Sequence, residues 1–170
     1  MRVLVSDTSV LIDLERGDLL KAAFELSVEL AVPDILYRRE LEGFGGEALL
    51  ARGLRVVELN EEGVGRAQGF RRARTGLSVP DSFALALALG QGWTLLNGDG
   101  LLRELAGLEG VECHGVLWLI DLMNHEGVVR IRALREGLGR IADHPRCRLP
   151  GREVRARLDR YARLLAGNGD

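Results

Sequence analysis

The 170-residue chain predicts an α/β fold in three layers, a mostly parallel central sheet covered by helices on both faces, with further helices at its C-terminus. Three observations predict it. Short apolar runs such as Val3-Leu4-Val5, Val28–Val32 and Trp93-Thr94-Leu95-Leu96 alternate with segments of helical pattern, the order that joins parallel strands by helical crossovers. Apolar residues make up 46% of the chain and aromatics 5%, which describes a Leu/Ala/Val core. Two of the runs are followed by an acid, Asp7 and Asp99, at the strand ends where open α/β sheets bind ligands.

Taken in order, Arg2–Ser6 reads as a strand and Ser9–Glu15 as a short helix. Asp18–Leu26 is predicted as a second helix, ended by the strand Val28–Val32. Pro33-Asp34 starts a helix through Glu42, with Asp34 placed to cap it. Gly43, Gly45 and Gly46 break the pattern before a helix over Glu47–Arg52. Leu54–Leu59 reads as a strand and Glu61–Arg74 as an Arg-rich helix. Phe83-Ala84-Leu85-Ala86-Leu87-Ala88-Leu89 alternates with period two, as a strand would. Its Ala and Leu are strong helix formers, however, and β-branched residues are absent. Ser78 and Pro80 supply start signals, and Gly90 with Gly92 the stop, so a buried helix is predicted from Pro80 to Leu89. Asp81 then lies in its first turn, where the helix dipole favours an anion. Trp93–Asn97 reads as a strand, Leu101–Leu105 as a helix, Val111–His114 as a last strand and Val116–Asn124 as an apolar helix. Arg130–Ala142 and Glu153–Ala166 are amphipathic helices set apart by Pro145 and Pro150.

Charge divides the chain. Residues 1–126 carry 12 basic and 20 acidic side chains, whereas residues 127–170 carry 11 Arg against 5 acids. The division predicts a main domain over 1–126 and an Arg-rich helical extension over 127–170 packed on it. The extension reads either as a solvated helical face or as a basic flank that meets RNA backbone or an acidic partner. No apolar stretch approaches the roughly 18 residues of a membrane span. The N-terminal run ends at Asp7 and lacks signal-peptide anatomy. Cys113 and Cys147 lie in no metal-ligand spacing, which suits a reducing cytoplasm.

Four carboxylates carry the chemistry: Asp7, Glu40, Asp81 and Asp99. Buried acids repel one another, so a fold keeps several together mainly to hold a divalent cation, and Mg²⁺ and Mn²⁺ are hard ions that take such oxygen ligands. Each acid also has a plainer reading. Asp7 fits a helix cap, Glu40 a surface acid beside Arg38 and Arg39, Asp81 a dipole-stabilising first-turn acid, and Asp99 a turn residue. Their joint occurrence favours metal-dependent phosphate chemistry.

The motifs around these acids resemble those of the PIN-domain nucleases. Val5-Ser6-Asp7-Thr8-Ser9-Val10-Leu11-Ile12 is similar to their opening motif, and Arg39-Glu40-Leu41 after Val32-Pro33 to their second acid. Ser78-Val79-Pro80-Asp81 leading into Leu85-Ala86-Leu87-Ala88 resembles the third, and Leu95-Leu96-Asn97-Gly98-Asp99 the fourth. The likeness spans roughly residues 1–125 and is nearest to the VapC-like toxins. It implies a PIN-like fold and a Mg²⁺- or Mn²⁺-dependent ribonuclease, often a homodimer and often held inactive by a small antitoxin protein. By matching motifs, Asp7 and Asp81 would be the main metal ligands, and Asp99 would complete the site directly or through water. Glu40 would hold a second metal or orient a water, and Thr8 or Ser9 would supply a hydroxyl behind the ligands. The family often has Thr or Ser two residues before the fourth acid; here Asn97 stands there, with an amide able to hydrogen-bond a ligand carboxylate.

Other features weigh less. Arg71, Arg72 and Arg74 form the tightest basic group, suited either to holding phosphates near Asp81 or to a solvated helix face. Asp13 reads as solvated, His114 as a hydrogen-bonded structural residue, and Leu117 with Trp118 as core or dimer surface. Gly43-Phe44-Gly45-Gly46 lacks the ending of a P-loop. An aspartyl-phosphate mechanism at Asp7 would need a second acid beside it and a lysine over the phosphate, and the only lysine is Lys21. The non-enzymatic alternative is a PIN-like binding module for RNA or a protein partner.

Overall fold

The computed structural model describes residues 1–167; residues 168–170 of the predicted extension lie outside them. Among the described residues the sheet has five strands: β1 (Arg2–Ser6), β2 (Val28–Pro33), β3 (Arg55–Val57), β4 (Thr94–Leu96) and β5 (Cys113–His114). All pairings are parallel, in the order β3-β2-β1-β4-β5. Successive side chains of a strand enter opposite layers. Leu4, Leu30, Val32 and Leu96 join one core, while Val5 and Leu95 join the other. Helices α1 (Thr8–Arg16), α2 (Leu20–Ala23), α4 (Gly46–Ala51), α8 (Val116–Glu126) and α9 (Ile131–Asp143) contribute to the first core. The second lies under α5 (Glu61–Ala73), α6 (Val79–Gln91) and α7 (Gly100–Leu108). The three predicted layers are present.

The chain steps outward from β1 through β2 to β3, then crosses to β4 and β5 on the other side. The ends of β1 and β4 therefore flank the switch point of the sheet. Ser6 pairs with Leu96, and the Asp7 N–H donates to the Leu96 carbonyl at 2.9 Å, so Asp7 and Asn97-Gly98 stand at one level.

Several boundaries differ from expectation. The predicted helix over Asp18–Leu26 shrinks to the single turn α2, because Asp18 takes a left-handed φ of 55° that interrupts a right-handed helix. Strand β3 is shorter than Leu54–Leu59; it is an edge strand whose side chains stay exposed or half-buried. Helix α3 (Asp34–Leu36) widens into a π-helical turn over Tyr37–Leu41, in which the Glu42 N–H reaches back to the Tyr37 carbonyl at 2.8 Å. Asp34 makes no capping bond. It lies inside the first turn and pairs with Arg38 at 3.4 Å. The period-two Leu/Ala segment is helical, as α6, capped by Ser78 and ended by a left-handed Gly92.

The C-terminal helices α9 and α10 (Gly151–Gly167) complete the first core, where Leu134, Leu138, Ile141, Val154 and Tyr161 join Leu4, Val10, Leu11 and Leu14. The approach is close at one point. A Cβ on Gly137 of α9 would lie 2.6 Å from the Gly17 carbonyl and 3.0 Å from Leu19. Backbone cannot yield as a side-chain tip can, so Gly137→Ala is expected to cost about 1–3 kcal/mol, or roughly 3–10 °C in Tm. A thermal melt checks it; an unchanged Tm would mean that α9 can move off α1 freely.

Candidate active site

Asp7 ends β1 and caps α1. Its side chain is buried at 3% exposure and has three hydrogen-bond donors: the Val10 N–H at 2.9 Å, the Gly98 N–H at 3.0 Å, and the Ser9 hydroxyl, shared between its two oxygens at 2.9 and 2.8 Å. Burial pushes its carboxyl up to about 6, opposed by the Val10, Gly98 and Ser9 bonds and reinforced by the negative charge of Asp81. Glu40 projects from the π-helical turn and accepts a hydrogen bond from the Thr8 hydroxyl. Such turns are frequent at functional sites. Asp81 lies in the first turn of α6, with its own N–H donating to Ser78 Oγ at 3.1 Å. Burial raises its carboxyl, the Ser78 hydrogen bond opposes this, and Glu40 and Asp99 raise it further. Asp99 caps α7, its Oδ1 accepting from the Leu102 N–H at 3.1 Å.

All four acids line a single cleft of about 360 Å³, together with Thr8, Ser9 and Asp13. Repulsion reaches from Asp81 to Asp7, and from Glu40 and Asp99 to Asp81. The carboxylates line the cleft without closing on a point. Among the described residues no group of three or more His, Cys, Asp or Glu side chains is gathered tightly enough to enclose an ion.

A family model described as DUF3368: PIN domain matches residues 3–163. The chain belongs to the PIN-domain family. The match runs beyond residue 125, where the motif likeness ends, through α9 and most of α10. Among solved structures, this PIN domain is similar to a PilT N-terminus domain protein, SSO1118, from the hyperthermophilic archaeon Sulfolobus solfataricus P2. That likeness has 14% identity and a TM-score of 0.48, over 70% of this chain and 90% of that one. It is also similar to a chain of a toxin–antitoxin complex from Klebsiella pneumoniae, with 21% identity, a TM-score of 0.46 and coverage of 64% and 94%. No curated protein matches it.

Three sequence expectations change in the PIN domain as folded. Asn97 does not meet a ligand carboxylate. It is fully buried and clamps the backbone of Asp99 instead, donating to its carbonyl at 2.7 Å and accepting from its N–H at 2.6 Å. Arg71, Arg72 and Arg74 do not line the cleft: Arg71 turns to the Leu77 carbonyl at 3.5 Å, Arg74 pairs with Glu104 at 3.0 Å, and Arg72 is exposed. Asp13 is not solvated. It lines the cleft half-buried, paired with Arg16 at 3.2 Å, and burial raises its carboxyl against Arg16 and His144. Ser9, Asp13 and Arg16 are four and three residues apart on α1, a spacing that places them on one face.

The cations that line the cleft are Arg16, Arg146 and Arg148. Sequence reading did not single them out: Arg146 and Arg148 lie in the segment read either as a solvated face or as a basic flank, in the loop between α9 and α10, remote in sequence from every acid motif. His114 is structural, as expected. Its ring stacks on Trp118 at 4.2 Å and its Nε2 meets Glu112 at 2.7 Å. Leu117 is buried, and Trp118 packs half-buried against the first core. Both cysteines are free, and no helix among the described residues is long and apolar enough to cross a membrane.

Proposed function

We propose that this PIN domain is a divalent-metal-dependent ribonuclease that hydrolyses RNA phosphodiester bonds, acting in the cytoplasm as the toxin of a toxin–antitoxin pair. One observation carries the reading. Four acids far apart in sequence line the cleft at the switch point of the sheet, where burial raises the carboxyls of Asp7 and Asp81 and the neighbouring acids add to the rise.

The donor set is made of carboxylate oxygens, which suits Mg²⁺ or Mn²⁺. Asp7 and Asp81 would be the principal ligands and Asp99 would complete the set, with Glu40 holding a second ion or orienting a water. When bound, the metal supplies a Lewis acid and an activated water for in-line displacement at phosphorus. The chain supplies position. Ser9, Val10 and Gly98 fix both oxygens of Asp7, Asn97 fixes the backbone of Asp99, and Thr8 holds Glu40. Thr8→Val is accordingly expected to lower cleavage about 10- to 100-fold by releasing Glu40. Initial rates on a defined RNA measure this, and a wild-type rate would remove Glu40 orientation from the mechanism.

Incubation of the purified chain with an end-labelled RNA pool and Mg²⁺ or Mn²⁺ tests the proposal. Cleavage that a chelator stops is the expected result. A non-catalytic PIN-like binding module is the second reading, favoured by the open arrangement of the carboxylates. It gains the ground if the chain neither cleaves RNA nor binds either metal. The homodimer and the antitoxin belong to the first reading. Support for such a contact comes from exposed apolar side chains, Phe44 at 82% and Ile12 at 44%, which line a shared groove between α1 and α4.

A further inference from the structure

Beside the acidic cleft lies a second groove of about 440 Å³, in the size range of ligand sites of roughly 300–1,000 Å³. The two cavities are contiguous, because Asp13, Gly98, Asp99, Arg148 and Leu149 line both. The loop that joins α9 to α10 runs along both, with Arg146 on the acidic cleft, Pro150 on the second groove and Arg148 and Leu149 on the two together. Pro145 and Pro150 restrict its two ends, and the Cys147 N–H closes a turn on the His144 carbonyl at 2.9 Å. Its residues alternate. Cys147 and Leu149 pack against the first core, while Arg146 and Arg148 are exposed.

The charges of this region fall into two classes. Arg16 is engaged by Asp13, and Arg157 by Asp121 at 2.6 Å and Glu153 at 3.7 Å. Arg146, Arg148 and Arg103 have no carboxylate at ion-pair distance among the described residues. The Arg103 guanidinium donates to the Asn97 carbonyl, at 3.3 Å. Asp13, Asp99 and Glu153 are the acids lining the second groove. A cleft walled by carboxylates repels a polyanion, so a nucleic acid that enters it must be held by cations at its rim. The uncommitted cations stand there.

We infer that the loop over residues 144–150 is the phosphate-binding wall of a track for single-stranded RNA. Arg146 and Arg148 hold backbone phosphates next to the one in the acidic cleft. The second groove, with Arg103, receives the adjoining nucleotide. This rests on the ribonuclease reading of the acidic cleft and gives the C-terminal segment a positioning role in it.

The test measures binding apart from cleavage. A fluorescent single-stranded RNA is titrated at several salt concentrations against full-length Asp81→Asn protein, alone and combined with Arg146→Gln and Arg148→Gln. The paired substitution is expected to weaken binding about 10-fold or more. It should also reduce the slope of log K against log salt by about 1.4, at about 0.7 per phosphate contact on a single strand. Arg132→Gln with Arg135→Gln removes the same charge from exposed positions on α9 and is expected to change neither quantity. Arg146→Lys with Arg148→Lys should restore the slope. Binding and slope unchanged in the Gln pair, an equal loss in the α9 pair, or no RNA binding by the parent at low salt would each overturn the inference. Cleavage by the native chain is scored separately. Arg-dependent binding without any metal-dependent cleavage would leave the track standing and remove the ribonuclease.

Discussion

Replacing Asp81 by Asn is expected to lower metal-dependent RNA cleavage by at least about 100- to 1,000-fold, the scale on which removal of one charge-stabilising group acts. Asp81 lies between the other acids electrically, feeling Glu40 and Asp99 and raising Asp7. Its Asn variant keeps the backbone cap of the α6 N-terminus, because the Asp81 N–H donates to Ser78 Oγ whichever side chain stands at 81. A loss of rate would therefore report on charge in the cleft rather than on folding. Asp7→Asn is expected to lose as much activity for a less clean reason. The new amide nitrogen must face either the Gly98 N–H or the Val10 N–H, and a buried donor without an acceptor costs about 1–3 kcal/mol. Rates for the two variants on one RNA, with circular dichroism beside them, separate the effects. Wild-type cleavage in both would remove the acids from the mechanism.

The second large effect is on stability in the absence of metal. Burial raises the folded carboxyl of Asp7 from 3.8 to about 6, so the folded protein keeps a proton that the unfolded chain has already released. The stability from that proton is fully present below pH 3.8 and is lost as the pH rises through about 6. At 1.36 kcal/mol per unit the loss is about 3 kcal/mol. The raised carboxyl of Asp81 acts in the same direction. Glu112 and Glu126 act oppositely, since hydrogen bonds from His114 and Ser27 hold them below their usual range. Comparison with variants isolates the acid cleft. Urea midpoints measured in chelator should rise for Asp81→Asn relative to wild type at pH 7 and converge with it near pH 4. For Asp7→Asn the gain from lost charge and the cost of the orphaned donor nearly cancel. No difference between wild type and Asp81→Asn at pH 7 would mean that the acids do not repel one another appreciably.

The fold was legible where local signals agreed. Val3-Leu4-Val5 and Leu95-Leu96 are apolar on both sides because both faces of a parallel strand are covered, and that pattern needs no tertiary knowledge. Ser78, Pro80 and Gly92 bracketed α6 correctly against its strand-like alternation. The gathering of Asp7, Glu40, Asp81 and Asp99 on one cleft was legible for the same reason, since a strand end or a helix start is a position as well as a residue type. What failed was proximity inferred from sequence distance. Arg71, Arg72 and Arg74 are near Asp81 in the chain but lie beyond the cleft, while Arg146 and Arg148 arrive only because α9 packs on α1. Asn97 was placed correctly and misread, because an amide beside a turn serves the backbone as readily as a neighbouring carboxylate.

The packing of α9 and α10 into the first core has a consequence for the order of events during synthesis. Asp7 and its hydrogen-bonding partners Ser9, Val10 and Gly98 have all been translated once residue 99 is added. The core beneath them still lacks Leu134, Leu138, Ile141, Val154 and Tyr161. A domain folds as a unit, and translation adds about 5–20 residues per second. The nascent chain thus passes several seconds with every acid of the cleft made and no completed core to hold them in place. The acids of the cleft therefore gain their full packing support only after α10 has been made.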